Sequence, residues 1–361
     1  MTKLSVCVIG GGSFGTTLAN IISINVKKSD KFNQQVKLWT FPEKTAKNVY
    51  LADWINEHHE NPIYLPDVKL ENNLSASNEL AECVTDADLI IFGVPNQYAR
   101  SVISDCKPFV SKKAKTLSII KGFDKTQEEI ITFSTVIEQI LQIPCSALSG
   151  ANVAFEIAKN EICETNIGYA NEESGKLWGS LLSLETFKIR LVPTVKALEV
   201  CGAMKNIYVL AYGFCLAMNL GSNTLAMILR ISLNEVRKFV TEFIKEEDSQ
   251  IYLESCGFPD LFTTAIGGRT VKCAKEFASL PLENRDWSHV EKIVLKNMKL
   301  QAPETCRLLY NYLSTRNTIS NYPMLQAIYS IAFEKKDLSV LTQTLKNLPN
   351  YELTRKLKIC S

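Results

Sequence analysis

Short apolar runs alternate with helix-length segments through the first half of the chain. Leu4 to Ile9 is apolar and runs into glycines, Phe14 to Ile24 repeats apolar positions at helical spacing, and Val36 to Trp39 reads as a second strand. Further apolar runs follow at Leu89 to Val94, Thr116 to Ile120, Ser146 to Leu148, Ile167 to Ala170 and Phe187 to Val192. Such short runs, buried on both faces and separated by helices, are what a parallel sheet with crossover helices requires. After Pro193 long segments of 3.6-residue period follow one another and β-branched runs become rare. The pattern predicts an α/β unit over residues 1–192 and an all-helical unit over 193–361, with the boundary near Leu191 to Thr194.

Length agrees with two units, since 361 residues is about twice one ordinary domain. Forty Lys and Arg against 38 Asp and Glu leave a formal charge of +2 with the signs interspersed. Bulk attraction to nucleic acid or to a membrane surface is therefore not expected, although a few local cations suffice for a small anion. The 11 cysteines are scattered without a C-x-x-C pair, which predicts a reduced intracellular protein with neither a zinc site nor a disulfide frame. Met1 runs almost directly into a strand, so no cleavable signal peptide is expected, and Lys358-Ile359-Cys360-Ser361 is neither a prenylation nor a peroxisomal signal. The cytoplasm is the expected compartment. The weakly charged stretch from Asn206 to Asn223 falls short of a membrane span and predicts a buried helix instead.

Gly10-Gly11-Gly12-Ser13-Phe14-Gly15 fits G-x-G-x-x-G between a strand and the start of a helix. Gly10 suits a tight turn, Gly12 the approach of backbone to a pyrophosphate, and Gly15 close packing of helix on strand. Free N–H groups and the positive end of the helix dipole then face the phosphates. A Rossmann-type dinucleotide-binding unit is the reading. The acid usual at the end of the second strand is missing, because Thr40, Phe41 and Pro42 follow Trp39, so the residues alone leave NAD and NADP open.

His58, His59 and His289 stand in polar surroundings without a matching acid or serine motif, which favours solvated surface roles. Attention passes to lysine. Pro95-Asn96-Gln97-Tyr98, Lys121-Gly122 and Gly150-Ala151-Asn152 each follow an apolar run, at the strand ends where ligands gather in open α/β sheets. Lys121 there either meets a ligand or snorkels to water. Lys205 interrupts an apolar segment, Ala197 to Leu220, where only Glu199 otherwise carries charge. Burial disfavours its cation and moves its pKa toward a range useful for proton transfer, unless it serves a structural ion pair with Glu199 or Asp260. Gly267-Gly268-Arg269-Thr270 precedes a helical stretch, Val271 to Phe277, and reads as an anion site with Thr270 as the cap.

Taken in order, these segments resemble the NAD-dependent glycerol-3-phosphate dehydrogenases of the eukaryotic cytosolic type. The resemblance runs from Val6 to about residue 340 and adds Cys201-Gly202-Ala203-Met204-Lys205-Asn206, Glu254-Ser255-Cys256-Gly257 and Lys299-Leu300-Gln301 with Pro303-Glu304-Thr305. It implies reversible hydride transfer between NADH and dihydroxyacetone phosphate, giving sn-glycerol 3-phosphate. Lys205 then resembles the proton donor, with Lys121 binding and polarising the substrate and Asn206, Asp260 and Thr264 setting the lysine's geometry and charge. Arg269 and Asn152 resemble the substrate-holding set, with Arg269 also near the cofactor phosphates. The glycine turn from Gly10 to Gly15 and Pro95 resemble cofactor contacts, joined by Phe41 and Tyr98 on the adenine half and by Ala154 and Gln301 on the nicotinamide side.

Three positions depart from the family: Phe14 stands for the usual Trp, Tyr98 for Phe, and Thr270 for Asn. A homodimer acting on a small phosphorylated substrate is the implied organisation. The alternatives are another two-domain hydroxyacid or sugar-acid dehydrogenase, and a non-catalytic scaffold that binds NADH.

Overall fold

The computed structural model describes residues 3–126, 129–246, 250–296 and 298–349. The last four residues of the chain, read above for targeting signals, lie outside them.

The strands are β1 (Leu4–Ile9), β2 (Phe32–Trp39), β3 (Leu74–Ser77), β4 (Leu89–Phe92), β5 (Lys115–Ser118), β6 (Asp124–Lys125), β7 (Ile130–Ile131), β8 (Cys145–Ser149), β9 (Cys163–Gly168) and β10 (Phe187–Val192). Eight of them form one sheet in the order β10-β9-β8-β5-β4-β1-β2-β3, while β6 and β7 make a separate hairpin. Seven helices lie between the strands: α1 (Ser13–Val26), α2 (Leu51–His58), α3 (Leu80–Val84), α4 (Asn96–Cys106), α5 (Phe133–Leu141), α6 (Ala154–Ala158) and α7 (Glu172–Leu182).

Both faces of the sheet are covered, which explains why its central strands are continuous apolar runs. Val6 and Val8 of β1 join a core with Leu18 and Ile22 of α1, and Cys7 and Ile9 join the opposite core with Ile103 of α4 and Val136 of α5. Across the sheet β8, β5, β4, β1, β2 and β3 pair in parallel, each with the next, and β9 runs antiparallel to β8. Only the five-residue α6 separates β8 from β9, too little helix for a full crossover, so the chain turns back on itself. The edge strand β3, Leu-Ser-Ala-Ser, is too short and too polar for its alternation to stand out in the sequence.

Beyond β10 the described chain is helical: α8 (Lys196–Ala217), α9 (Ser222–Phe239), α10 (Phe258–Gly267), α11 (Arg269–Ser279), α12 (Trp287–Leu295), α13 (Gln301–Thr315), α14 (Pro323–Phe333) and α15 (Ser339–Lys346), with a π-turn over Val240–Ile244. Helix α8 has the length and apolarity of a membrane span, but it is mostly buried inside the protein. Helices α9, α10, α11, α13 and α14 pack around it. The buried stretch expected over Asn206 to Asn223 ends early, at Ala217, and Asn219 takes a left-handed conformation with φ 53°. Gly213 allows α11 to close on α8, since a Cβ there would fall 2.4 Å from that of Ala274. One apolar core runs from these helices to Phe123, Ala147 of β8 and Val192 of β10. The helical half is thus seated on the carboxyl side of the sheet.

Candidate active site

The glycine turn occupies the point where the strand order reverses beside β1. Gly10 has φ +127°, and a Cβ on it would press within 2.7 Å of the Gly93 backbone. At Gly15 a Cβ would fall 2.0 Å from the Gly10 carbonyl oxygen, whereas at Gly12 it would meet nothing within 4 Å. Gly12 is the N-cap of α1, no side chain caps that end, and its first turn carries no acid. The helix start is therefore open and fits a pyrophosphate. Its rim is built from its neighbours. Ser13 donates to the Tyr64 carbonyl at 2.5 Å, Phe14 packs half-buried against the sheet core, and the Ala154 carbonyl accepts from Thr17 Oγ1 at 3.3 Å. Phe41 after β2 and Tyr98 on α4 are large rings left 64% and 60% exposed, as an unpartnered face for a planar base requires. Pro95 is the exposed N-cap of α4.

Lys205 lies at mid-length in α8 with its side chain buried. Its Nζ is ion-paired with Asp260 Oδ1 and donates to Thr264 Oγ1 at 3.0 Å. Asp260 and Thr264 stand one turn apart on the inward face of α10. Lys121, just beyond β5, reaches the same carboxylate from the sheet side, with Nζ 3.4 Å from Asp260 Oδ2. Burial pushes the Lys205 pKa down from 10.5 to about 7, with the Asp260 charge opposing the fall and the Lys121 charge adding to it. A buried amine poised near neutrality can give and take a proton in water at ordinary pH.

The two partners left open for Lys205 are thereby separated. Asp260 is the counter-ion, and Glu199 faces α5, where it accepts from the Ser134 N–H at 3.0 Å and from the Ser134 hydroxyl. Burial raises the Glu199 carboxyl to about 7 against those bonds.

Next to Lys205, Asn206 accepts a hydrogen bond from Thr270 Oγ1 at 3.4 Å, which brings the start of α11 to the neighbouring position on α8. Thr270 is not the cap expected from the sequence. Gly268 takes the N-cap place and the helix begins at Arg269, which leaves Thr270 buried in the first turn. The Arg269 side chain is exposed and makes no hydrogen bond or ion pair among the described residues. Asn152 is tethered to β9 through Nδ2 to the Glu164 carbonyl at 3.0 Å, while its buried Oδ1 has no hydrogen-bond partner among the described residues. Gln301 at the start of α13 donates to Asn96 Oδ1 of α4 at 3.4 Å. Asn96 also shields Gly122, where a Cβ would fall 2.9 Å from Asn96 Nδ2, and Gly122 has φ +121°. Asn96 thus joins α4, the Lys121 turn and α13, a role whose only trace in the sequence is its place after a strand end. The histidines stand apart: His58 stacks on Trp54, His59 ends α2 in a left-handed conformation, and His289 lies exposed in α12.

Family comparisons agree over most of the chain. The N-terminal model of NAD-dependent glycerol-3-phosphate dehydrogenase matches residues 5–175, and the C-terminal model of the same family matches 194–343. Human glycerol-3-phosphate dehydrogenase 1-like protein is 38% identical over 96% of this chain and 98% of its own length. The human cytoplasmic glycerol-3-phosphate dehydrogenase [NAD(+)] is 35% identical over 97% of this chain and all of its own. Among solved structures, the glycerol-3-phosphate dehydrogenase of Plasmodium falciparum superposes with a TM-score of 0.92 at 35% identity, covering 97% of both chains.

Proposed function

This chain belongs to the NAD-dependent glycerol-3-phosphate dehydrogenase family of oxidoreductases, and we propose that it interconverts dihydroxyacetone phosphate and sn-glycerol 3-phosphate with Lys205 as the general acid and base. The observation that carries this reading is the buried Lys205 amine, held by Asp260 and Thr264 and poised near neutral pH.

NADH, when bound, supplies the hydride. The glycine turn from Gly10 to Gly15 and Pro95 would hold its phosphates, Phe41 and Tyr98 would serve the adenine half, and Ala154 and Gln301 the nicotinamide side. Lys205, as the ammonium, stabilises the negative charge that grows on the ketone oxygen and then donates its proton there. Lys121 polarises the same oxygen from the sheet side. Asp260 keeps enough of Lys205 protonated for the task, and Thr264 orients its Nζ. Arg269 and Thr270 at the start of α11, with Asn152, receive the phosphate, and that remote grip orients the carbonyl, while Asn206 helps to set the geometry of Lys205. In the oxidative direction Lys205 as the neutral amine takes the hydroxyl proton.

The same reading makes residues 1–192 the nucleotide-binding unit, which lends Lys121 and Asn152 to the substrate, and 193–361 the substrate unit, which lends Gln301 to the cofactor, in a cytoplasmic homodimer. Oxidation of NADH should be far faster with dihydroxyacetone phosphate than with dihydroxyacetone, and faster with NADH than with NADPH. Lys205→Ala should lower kcat by at least about a hundredfold while NADH still binds. Near-normal turnover of that variant, or equal use of the two ketones by the wild type, would refute the assignment.

A further inference from the structure

The approach to α10 is tied to the far edge of the sheet by several hydrogen bonds, two of them from one buried amide. Asn166 lies in β9, in register with Ser149 of β8 and Arg190 of β10, and is fully buried. Its Nδ2 donates to Glu254 Oε2 at 2.9 Å, and its Oδ1 accepts from the Cys256 N–H at 2.9 Å. Arg190 grips the same carboxylate from the other side, Nε at 2.8 Å and Nη2 at 3.0 Å. Between these anchors Ser255 Oγ donates to the Glu164 carbonyl at 2.8 Å and accepts from the Ala151 N–H at 3.2 Å. Three consecutive residues, Glu254 to Cys256, are therefore bonded to the sheet or to the loop beyond β8.

The helix takes its position from this segment. The Asp260 N–H donates to the Ser255 carbonyl at 3.1 Å and the Phe258 N–H to the Tyr252 carbonyl at 2.8 Å. Gly257 permits the tight return, because a Cβ there would fall 2.3 Å from the Tyr252 carbonyl oxygen. Asp260 is the third residue of α10, and Thr264 follows one turn later. A shift at Glu254 to Cys256 therefore moves both groups that touch Lys205 Nζ, and a misplacement of about 1 Å is enough to matter for catalysis.

We propose that Asn166 is a positioning residue for the acid–base site, acting through Glu254 and the Cys256 backbone to hold α10, and with it Asp260 and Thr264, against Lys205. The proposal rests on Lys205 as the proton carrier. No contact of Asn166 with Lys205 is involved. Removing the amide leaves the Cys256 N–H buried without an acceptor and relieves Glu254 of one of its two anchors, so the segment relaxes.

The test uses the full-length enzyme. In Asn166→Ala, kcat for dihydroxyacetone phosphate reduction should fall roughly ten- to a hundredfold. The pH limb of kcat/KM should move to lower pH as Asp260 loses its hold on Lys205, while NADH affinity stays within about twofold. Glu254→Gln retains an oxygen for Asn166 Nδ2 and should keep the wild-type limb, whereas Glu254→Ala should behave like Asn166→Ala. An unmoved limb in Asn166→Ala, with activity lost only in step with folded protein, overturns the proposal. If that variant does not fold, Glu254→Ala decides by the same two outcomes. Lys205→Ala is measured alongside. If it turns over at a near-normal rate, the acid–base reading has failed, and if its kcat falls about a hundredfold or more while the limb of Asn166→Ala is unmoved, only the positioning role has failed.

Discussion

Thr264 Oγ1 lies 3.0 Å from Lys205 Nζ and meets it as an acceptor, because its own hydroxyl proton is committed to the Asp260 carbonyl at 2.7 Å. That direction matters. The lysine must donate to Thr264 in either protonation state, so one N–H is always aimed along α10, and the Asp260 carboxylate takes another when the amine is charged. What remains of the ammonium is free for a substrate oxygen.

The pH dependence should have opposite signs in the two directions. On the proposed mechanism reduction consumes the proton on Lys205, so kcat/KM should hold below about pH 7 and fall about tenfold per unit above it. Oxidation needs the neutral amine, so kcat/KM should rise through the same range and level off above it. Parallel profiles in both directions would show that another group carries the proton.

Asp260→Asn removes the charge that opposes desolvation of Lys205. The limb should therefore move to lower pH, and reduction at about pH 7.5 should weaken roughly tenfold or more. A shift to higher pH would mean that water enters the pocket and resolvates the amine.

Arg269→Ala should raise KM for dihydroxyacetone phosphate about tenfold or more, the scale of a charge-assisted hydrogen bond, and leave the slow reaction of dihydroxyacetone unchanged. The two ketones, measured side by side, separate loss of the phosphate contact from damage to the pocket.

The two glycines of the turn should fail differently. Gly15→Ala drives a Cβ into the Gly10 carbonyl and should cost about 1–3 kcal/mol of stability by chemical unfolding. Gly12→Ala has open space before it and should unfold within about 0.5 kcal/mol of wild type. It should nevertheless bind NADH more weakly in a fluorescence titration, since the methyl stands where the pyrophosphate approaches.

Much of this site was legible in the chain because its signals are local. The glycine turn, the strand-end position of Lys121 and the lone cation at Lys205 in an apolar helix need only a few neighbouring residues to be recognised. Sequence alone offers Lys205 two acids, although Glu199 precedes it by six positions, a spacing that turns the two side chains to different faces of α8. Thr270 reads as a cap because capping residues are common beside glycine, whereas Gly268 itself takes the cap. The roles of Asn96 and Asn166 come from contacts across the fold, Asn96 to Gln301 and Asn166 to Glu254, that no local pattern encodes.

The sharing of one carboxylate by Lys121 and Lys205 leaves the pocket with an excess of positive charge whenever both lysines are protonated. On the proposed function a phosphorylated ketone brings the anion that completes the set, so its arrival evens out the local field instead of burdening it. Neutral analogues bring no such relief. On the proposed function, selectivity for an acidic substrate rests on the resting charge of the cleft as well as on the groups proposed to grasp the phosphate.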